Sequence, residues 1–153
     1  MIDRPEIAHT DAQPAAVIHL KIPRDEIRTV MGPAINEVIA AASGQGVGPA
    51  GPLFSHHFRN DPAVFDFEVG VPVASAVQAS GRVRPGTLPA AKVVRTVYRG
   101  PYEGLPAGWS EFEAWVTAQG HGRIGAFWER YVRGPESSPD ASTWETELNV
   151  VLG

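Results

Sequence analysis

Short apolar runs broken by proline and glycine predict six strands along the chain. Each run is rich in β-branched or aromatic residues and ends at turn residues. In the first half the strands cover residues 15–22, 53–59 and 64–73, with a turn at residues 60–62, and in the second half residues 91–98, 127–133 and 144–152.

Two amphipathic helices are predicted from apolar residues that recur every three or four positions. The first follows Pro33, carries Ile35, Val38 and Ala42 on one face, and ends at Gly44. The second lies between Pro106 and Gly120 and carries the stripe Trp109, Phe112, Trp115 and Val116. Both halves of the chain therefore read as strand, helix, strand and strand.

Matching positions in the two halves are 73–75 residues apart from the first strand to the second, and 79 apart in the third strand, as Glu68 and Glu147 are. This agreement in order predicts an internal duplication, with repeat one at about residues 15–75 and repeat two at about 89–153. The expected class is α+β, with antiparallel sheets, a helix on one side of each, and a ligand groove between the halves. Residues 1–14 are predicted to be a flexible lead-in.

Composition narrows the function classes. The 153 residues, 43% hydrophobic and 20% charged, fit one globular domain. The net charge of −4 is spread along the chain, so direct nucleic-acid binding is not expected. The absence of cysteine excludes disulfides and thiolate chemistry and suits a cytoplasmic location. No apolar run reaches the roughly 18 residues of a membrane span, so no membrane partner is expected.

Motifs for metals, cofactors and serine nucleophiles are missing from the sequence. The adjacent His56 and His57 point to opposite faces of a strand, and His9, His19 and His121 lie in unrelated segments, so no metal site is predicted. There is no Gly-x-Ser-x-Gly elbow, phosphate-binding loop or dinucleotide fingerprint, and no cofactor is predicted.

Candidate chemistry lies on the polar face of the last strand, where Glu147 alternates with apolar neighbours. On a single sheet such a face simply meets water. If the helix-free faces of two sheets turn toward a shared groove, Glu147 becomes desolvated there. It then serves as a general acid or base, or stays ionised and holds a cationic ligand.

Aromatic residues are expected to frame this groove. The predicted ligand-binding set is Glu147, Tyr131, Tyr98, Trp128, Trp109, Phe58 and His56. Trp128 and Tyr131 are an odd number of positions apart, so a regular strand turns them to opposite faces and at least one of the two is structural. Trp109 belongs equally well to the core-facing stripe of its helix.

Four segments together resemble the GyrI-like effector-binding family over nearly the whole chain from about residue 15. They are Tyr98-Arg99-Gly100-Pro101-Tyr102, the Trp109, Phe112, Trp115 stripe, Glu129-Arg130-Tyr131 and Thr146-Glu147-Leu148. The run of residues 65–73 resembles the family's first-half signature. Two departures are Tyr98, where members often have His, and Val151, where many have Pro.

The resemblance implies a duplicated fold that binds hydrophobic, cationic or drug-like molecules, with the acidic residue of the last strand, here Glu147, as the central contact and Tyr131 in the pocket wall. Both predicted helices are used by the duplicated fold, so a stand-alone member without a DNA-binding region is expected. Some stand-alone relatives hydrolyse cyclopropane-type toxins.

Three functions stay open. The first is a small-molecule binding protein anchored by Glu147. The second is a hydrolase of electrophilic hydrophobic compounds in which Glu147 is the general base. The third is a protein–protein regulator, which the acidic charge permits. The expected partner is a small hydrophobic or cationic molecule, with a homodimer or a protein partner as further alternatives.

Overall fold

The computed structural model describes residues 2–59, 63–121 and 125–152, except for the side chain of Arg28. Eight strands and two α-helices are found there: β1 Glu6–Thr10, β2 Gln13–Pro23, α1 Ile27–Gly44, β3 Phe54–His57, β4 Val64–Pro72, β5 Arg84–Leu88, β6 Ala91–Arg99, α2 Leu105–Ala118, β7 Phe127–Arg133 and β8 Glu145–Val151. The turn predicted at residues 60–62 lies outside the described residues.

All eight strands form one antiparallel sheet in the order β1-β6-β8-β7-β3-β4-β2-β5. The two halves of the chain meet where β3 pairs with β7, with Ser55 opposite Glu129. Helix α1 packs over the first half and α2 over the second, on the same face of the sheet. The predicted α+β class with one helix on each half is confirmed, but the halves form one continuous sheet rather than two.

The sheet is curled, and the two strands missed by the sequence lie at its ends. β1 pairs along its length with β6, so the segment predicted as a flexible lead-in contains an ordered edge strand. Only residues 11 and 12 connect β1 to β2, although the two strands lie near opposite ends of the sheet. The ends must therefore approach one another, and the Thr10 hydroxyl donates to the carbonyl of Pro89 at 2.9 Å.

Edge position explains why these strands have no clear sequence pattern. β5 reads Arg-Pro-Gly-Thr-Leu, and proline and glycine are tolerated at an edge because one side of the strand needs no ladder partner. Gly86 is also required by packing, since a Cβ there would lie 2.7 Å from the Val17 side chain. β1 is short and mostly exposed, as edge strands commonly are.

Helix α1 begins at Ile27, earlier than the predicted start after Pro33, which lies inside the helix. Pro33 is exposed, and the helix continues through it despite the missing N–H donor. A 3-10 turn at residues 24–26 leads directly into the helix. The additional two turns bring Ile27 and Met31 toward the second half of the molecule.

The register between the two helices also differs from the predicted 73–75 residues. Each helix follows a three-residue 3-10 turn and starts at residues 27 and 105, so equivalent helix positions are 78 residues apart. The predicted register is wrong by about one helical turn, because a pattern that repeats every three to four residues fits almost equally well after such a shift. Met31 is thus the counterpart of Trp109.

The face of the sheet without helices is filled by its own core. Trp128 and Phe54 are fully buried there and pack with Val17 and Val93, which come from strands on either side of the centre. The curl of the sheet encloses these side chains without a third layer. This face therefore has a structural role at its centre.

Glu147 lies on this helix-free face and is part of a buried ion-pair cluster. Its carboxylate accepts two hydrogen bonds from Arg130, each of 3.0 Å, and one from the Asn149 amide at 3.1 Å. Arg95 makes an ion pair with it at 3.3 Å. Two guanidinium groups thus compensate one carboxylate that is only 9% exposed.

The counterpart of Glu147 in the first half is Glu68, which β4 places between His19 and His56 on the neighbouring strands. No described residue donates a hydrogen bond to Glu68. Partial burial raises the pKa of its carboxyl group, and the nearby His19 opposes that shift. The two carboxylates occupy equivalent places, but only Glu147 has fixed cationic partners.

Two adjacent histidines on β3 are buried on opposite faces. His57 stacks between Phe67 and Phe127, with ring centroids 4.8 Å and 4.6 Å away, and burial lowers its pKa to about 3. His56 packs edge-on against Phe58 and Trp128, and burial lowers its pKa to about 4. Both rings are therefore neutral at neutral pH.

We expect Glu147→Gln to destabilise the protein more than Glu68→Gln, because the first change leaves two arginines without their shared carboxylate. The expected loss of unfolding free energy for Glu147→Gln is about 1–3 kcal/mol. Glu68→Gln removes a carboxylate that has no hydrogen-bond donor among the described residues and should change stability by less than about 0.5 kcal/mol. Urea unfolding at pH 7 measures both values, and equal losses would contradict the assigned ion-pair cluster.

Acid should destabilise the protein through the two histidines. Their pKa values are lower in the folded chain than the ordinary 6.5, so below pH 6.5 the unfolded chain binds more protons and unfolding becomes easier. Each histidine contributes up to about 1.4 kcal/mol per pH unit between pH 6.5 and its folded pKa.

His57→Phe keeps an aromatic ring between Phe67 and Phe127 but cannot be protonated. We expect this variant to lose less unfolding free energy than the native protein between pH 6.5 and 4.5, measured by urea unfolding at each pH. His9→Phe, at an exposed position of β1, is the control. An unchanged pH dependence in His57→Phe would show that His57 does not contribute to acid lability.

Candidate functional site

A groove runs between α1 and α2 above the pairing of β3 with β7. One part of it, here called the polar cavity, has a volume of about 670 Å³. Its lining combines charged, hydroxyl and aromatic side chains from both halves: Arg24, Ile27, Met31, Ser55, His57, Phe65, Leu105, Pro106, Trp109, Ser110, Glu113, Phe127, Glu129 and Tyr131.

A second part of the groove, here called the apolar cavity, has a volume of about 910 Å³. Aliphatic side chains and prolines dominate its lining: Ile27, Met31, Ile35, Ile39, Pro49, Gly51, Pro52, Leu53, Val71, Tyr102, Leu105, Tyr131, Val132, Pro135 and Glu136. Both cavities lie on the helix side of the sheet, whereas the sequence analysis placed the groove on the helix-free face.

Glu129 lies on β7, in the floor of the polar cavity. The indole N–H of Trp109 donates to its Oε2 at 2.5 Å, and the Tyr131 hydroxyl donates to its Oε1 at 2.7 Å. The Ser55 hydroxyl lies 2.9 Å from that of Tyr131 and 3.4 Å from Glu129 Oε1. Side chains from α2, β3 and β7 thus fix one carboxylate in a single orientation.

The Tyr131 hydroxyl is a permanent donor in this network. Burial, reinforced by the adjacent carboxylate of Glu129, raises the pKa of Tyr131 well above its ordinary value. The phenol therefore keeps its proton and donates a hydrogen bond to Glu129. The Ser55 hydroxyl in turn donates a hydrogen bond to the Tyr131 oxygen. The hydrogen bonds form a chain from Ser55 through Tyr131 to Glu129.

Charge in the polar cavity is unevenly distributed. No described Lys, Arg or His side chain forms an ion pair with Glu129, whose two hydrogen-bond donors, Trp109 and Tyr131, are neutral. Glu113 lies one turn beyond Trp109 on α2, and burial raises the pKa of its carboxyl group against the influence of Arg24. The Arg24 guanidinium lies over the Phe65 ring, 4.5 Å from its centroid.

Two of the seven predicted ligand-binding residues line the groove. Tyr131 borders both cavities, and Trp109 borders the polar cavity. Of Trp128 and Tyr131, which a regular strand turns to opposite faces, Tyr131 is the residue in the groove. Trp109 is half-buried and contacts Phe112 and Phe127, so it also contributes to packing.

The other five predicted residues lie elsewhere. Glu147, Trp128 and His56 are on the helix-free face and border neither cavity, and Phe58 is 42% exposed beside His56. Tyr98 is buried beneath α2 and donates its hydroxyl to the Pro101 carbonyl at 2.8 Å. A ligand contact by Glu147 stays an untested prediction, and its position gives it structural partners instead.

Sequence reasoning missed Glu129, Ser55, His57 and Glu113 as site residues. A signal existed for two of them. Glu129 is two positions before Tyr131 on a strand and must share its face, and Glu113 is four positions after Trp109 on a helix and must lie beside it. Ser55 and His57 are recognised only once β3 is known to pair with β7.

No group of metal-binding side chains is found among the described residues. Neither α1 nor α2 has the length and apolar character of a membrane-spanning helix.

Solved structures of similar fold include EcmrR, of which one structure is a complex with DNA. The C-terminal domain of EcmrR is 18% identical, with a TM-score of 0.81 over 98% of this chain and 97% of that one. An EcmrR–DNA complex gives 18% identity and a TM-score of 0.80 over 97% of this chain. This chain spans only 56% of the EcmrR chain in that complex.

Two further structures carry the same fold at lower identity. SAV2435, solved with tetraphenylphosphonium bound, is 12% identical, with a TM-score of 0.72 over 99% of this chain and 94% of that one. A hydrolase encoded by lin2189 from Listeria innocua is 13% identical, with a TM-score of 0.59 over 98% of this chain and 92% of that one. No curated protein matches the chain significantly in sequence.

The model of one protein family matches residues 4–151, which is nearly the whole chain and includes β1. It is described as the GyrI-like small molecule binding domain. Since the match extends over both halves and both cavities, the chain belongs to the family of GyrI-like small-molecule binding domains.

Proposed function

We propose that this domain binds hydrophobic organic cations in the polar cavity, with Glu129 as the anchoring carboxylate. The observation that carries this proposal is the bonding of Glu129, which accepts hydrogen bonds from two neutral donors, Trp109 and Tyr131, and has no cationic partner among the described residues. A ligand cation would supply the missing charge.

Electrostatics favour a cation over a neutral ligand. A ligand that enters the groove displaces water from around Glu129, and a carboxylate without water or a counter-charge is costly. A cation restores the balance while the Trp109, Tyr131 and Ser55 donors stay in place. Aromatic rings beside the carboxylate, including Trp109 and Phe127, provide faces that attract cations and apolar groups.

Size and family membership support a small organic ligand. A cavity of about 670 Å³ falls within the range usual for drug-sized molecules. The complex of SAV2435 with tetraphenylphosphonium makes that cation a suitable first compound to test here. In a cell, the domain would then act as a sensor or a sequestering protein for such cations.

Hydrolysis is the second candidate function, and the observation that favours it is the chain from Ser55 through Tyr131 to Glu129. In a hydrolase of hydrophobic electrophiles, Glu129 would accept a proton from an attacking water and then pass that proton to the leaving group, while the Tyr131 hydroxyl holds the carboxylate in place. This reading moves the general base from Glu147, as first predicted, to a carboxylate inside the cavity.

We expect Glu129→Gln to weaken tetraphenylphosphonium binding by about 10- to 100-fold, or ~1.4–2.8 kcal/mol. Glutamine keeps the shape of the side chain and an acceptor oxygen but removes the charge. Isothermal titration calorimetry measures the affinity, and quenching of tryptophan fluorescence provides a second readout because Trp109 borders the cavity.

Two controls make this measurement specific. Glu147→Gln, on the helix-free face, should leave the affinity unchanged once circular dichroism shows that the variant is folded. Triphenylphosphine oxide has similar rings without a charge, and Glu129→Gln should not weaken its binding. Lost affinity in Glu147→Gln with retained affinity in Glu129→Gln would contradict the proposal and restore the prediction made from sequence.

The same compounds and variants separate binding from turnover. A binding protein should return each electrophilic test compound unchanged after long incubation, as judged by mass spectrometry. Consumption of a compound with uptake of one water, abolished by Glu129→Gln, would establish the hydrolase instead.

A further inference from the structure

The two cavities of the groove adjoin one another. Four residues border both: Ile27 and Met31 from α1, Leu105 from the start of α2, and Tyr131 from β7. The Tyr131 hydroxyl is bonded to Glu129 in the polar cavity, and its ring lies 6.1 Å from that of Tyr102, which lines the apolar cavity. A ligand anchored at Glu129 therefore lies next to Tyr131, which borders both cavities.

The chemistry of the lining changes from one end of the groove to the other. The polar cavity contains Glu113, Glu129 and Arg24. The apolar cavity has Glu136 as its one charged side chain among the described residues, and aliphatic groups such as Ile35, Leu53 and Val71 make up most of the remainder. The groove as a whole is amphipathic.

Exposed apolar side chains are concentrated in the apolar cavity. Of the five large hydrophobic side chains that the described residues leave exposed, three line this cavity: Ile39, Tyr102 and Val132. Soluble proteins seldom group exposed apolar side chains without a binding role. The wall of the apolar cavity thus has the character of a surface that a ligand covers.

No compact ligand satisfies both parts. A compact cation beside Glu129 leaves Ile39 and Val132 in water, whereas a purely apolar molecule in the apolar cavity leaves the carboxylate without a counter-charge. One molecule with a cationic end and an apolar chain satisfies both, and it loses its translational freedom only once.

We infer that the preferred ligands are elongated cationic amphiphiles, with the charged group at Glu129 and the alkyl or aryl chain extending along the apolar cavity past Ile39 and Val132. This inference rests on the proposed function, because it takes Glu129 as the anchor. It adds a length requirement, which compact cations do not test.

A homologous series measures this requirement directly. We expect the affinity of butyl-, hexyl-, octyl- and decyltrimethylammonium, titrated below their micelle concentrations, to rise about two- to fourfold for each added CH₂. In the double variant Ile39→Gln with Val132→Thr the rise should flatten for the longer chains. Ile7→Thr, which removes an equally exposed apolar side chain from β1, is the matched control and should leave the series unchanged.

The dependence of ligand affinity on charge provides the second part of the experiment. Glu129→Gln should weaken the whole ammonium series by a similar factor, and alkyl sulfates of the same lengths should not bind. Equal binding of sulfates, or an ammonium series insensitive to Glu129→Gln, would show apolar adsorption alone and overturn the inference.

Failure of the inference and failure of the proposed function give different results. If tetraphenylphosphonium binding depends on Glu129 but the ammonium series is flat, or keeps its slope in the double variant, the length requirement is overturned and the proposed function stands. If neither compound class depends on Glu129, both are overturned. A flat series together with dimer dissociation in the double variant would assign the apolar cavity to contact between two copies of the chain.

Discussion

The pairing of β3 with β7 is the constraint on which the rest of the structure depends. It joins the two halves into one sheet and sets Ser55 directly opposite Glu129. Because the join is antiparallel and in register, both helices lie on the same face and leave a gap above these two strands. Apart from the bond from Tyr131 to Glu129 within β7, the hydrogen bonds of the Glu129 site cross this junction or rise from it to α2.

Side chains alternate between the two faces of the sheet along β7, so residues that line the groove alternate with residues that pack on the opposite face. On β7, Glu129 and Tyr131 face the groove, whereas Trp128 and Arg130 face the curled side of the sheet. There Trp128 completes an apolar core and Arg130 compensates Glu147. A change of one position along the strand therefore exchanges a side chain that lines the groove for one that packs on the opposite face of the sheet.

The sequence predicted most of the strands and both helices, but it did not predict on which face of the sheet the groove lies. The apolar runs predicted six strands and both helices, because buried elements impose a period of two or of three to four on their residues. Strands β1 and β5 escaped because edges accept polar residues, proline and glycine. The groove was placed on the wrong side since local patterns do not reveal that the halves share one sheet. The sequence therefore pointed to Glu147, whose ligand contact stays untested, and not to Glu129, which stood in a recognised segment.

The polarity of the groove depends on the different side chains that the two halves carry at equivalent positions. Met31 in the first half corresponds to Trp109 in the second, and Ser55 corresponds to Glu129 across their shared pairing. In a strictly symmetric dimer of repeats both ends of the groove would have the same polarity. Replacing an aliphatic chain by an indole donor and a hydroxyl by a carboxylate creates one charged, hydrogen-bonded end, while the aliphatic side chains of α1 keep the other end apolar. In the proposed function, the direction of ligand binding thus follows from side-chain differences between two halves that share the order strand, helix, strand and strand.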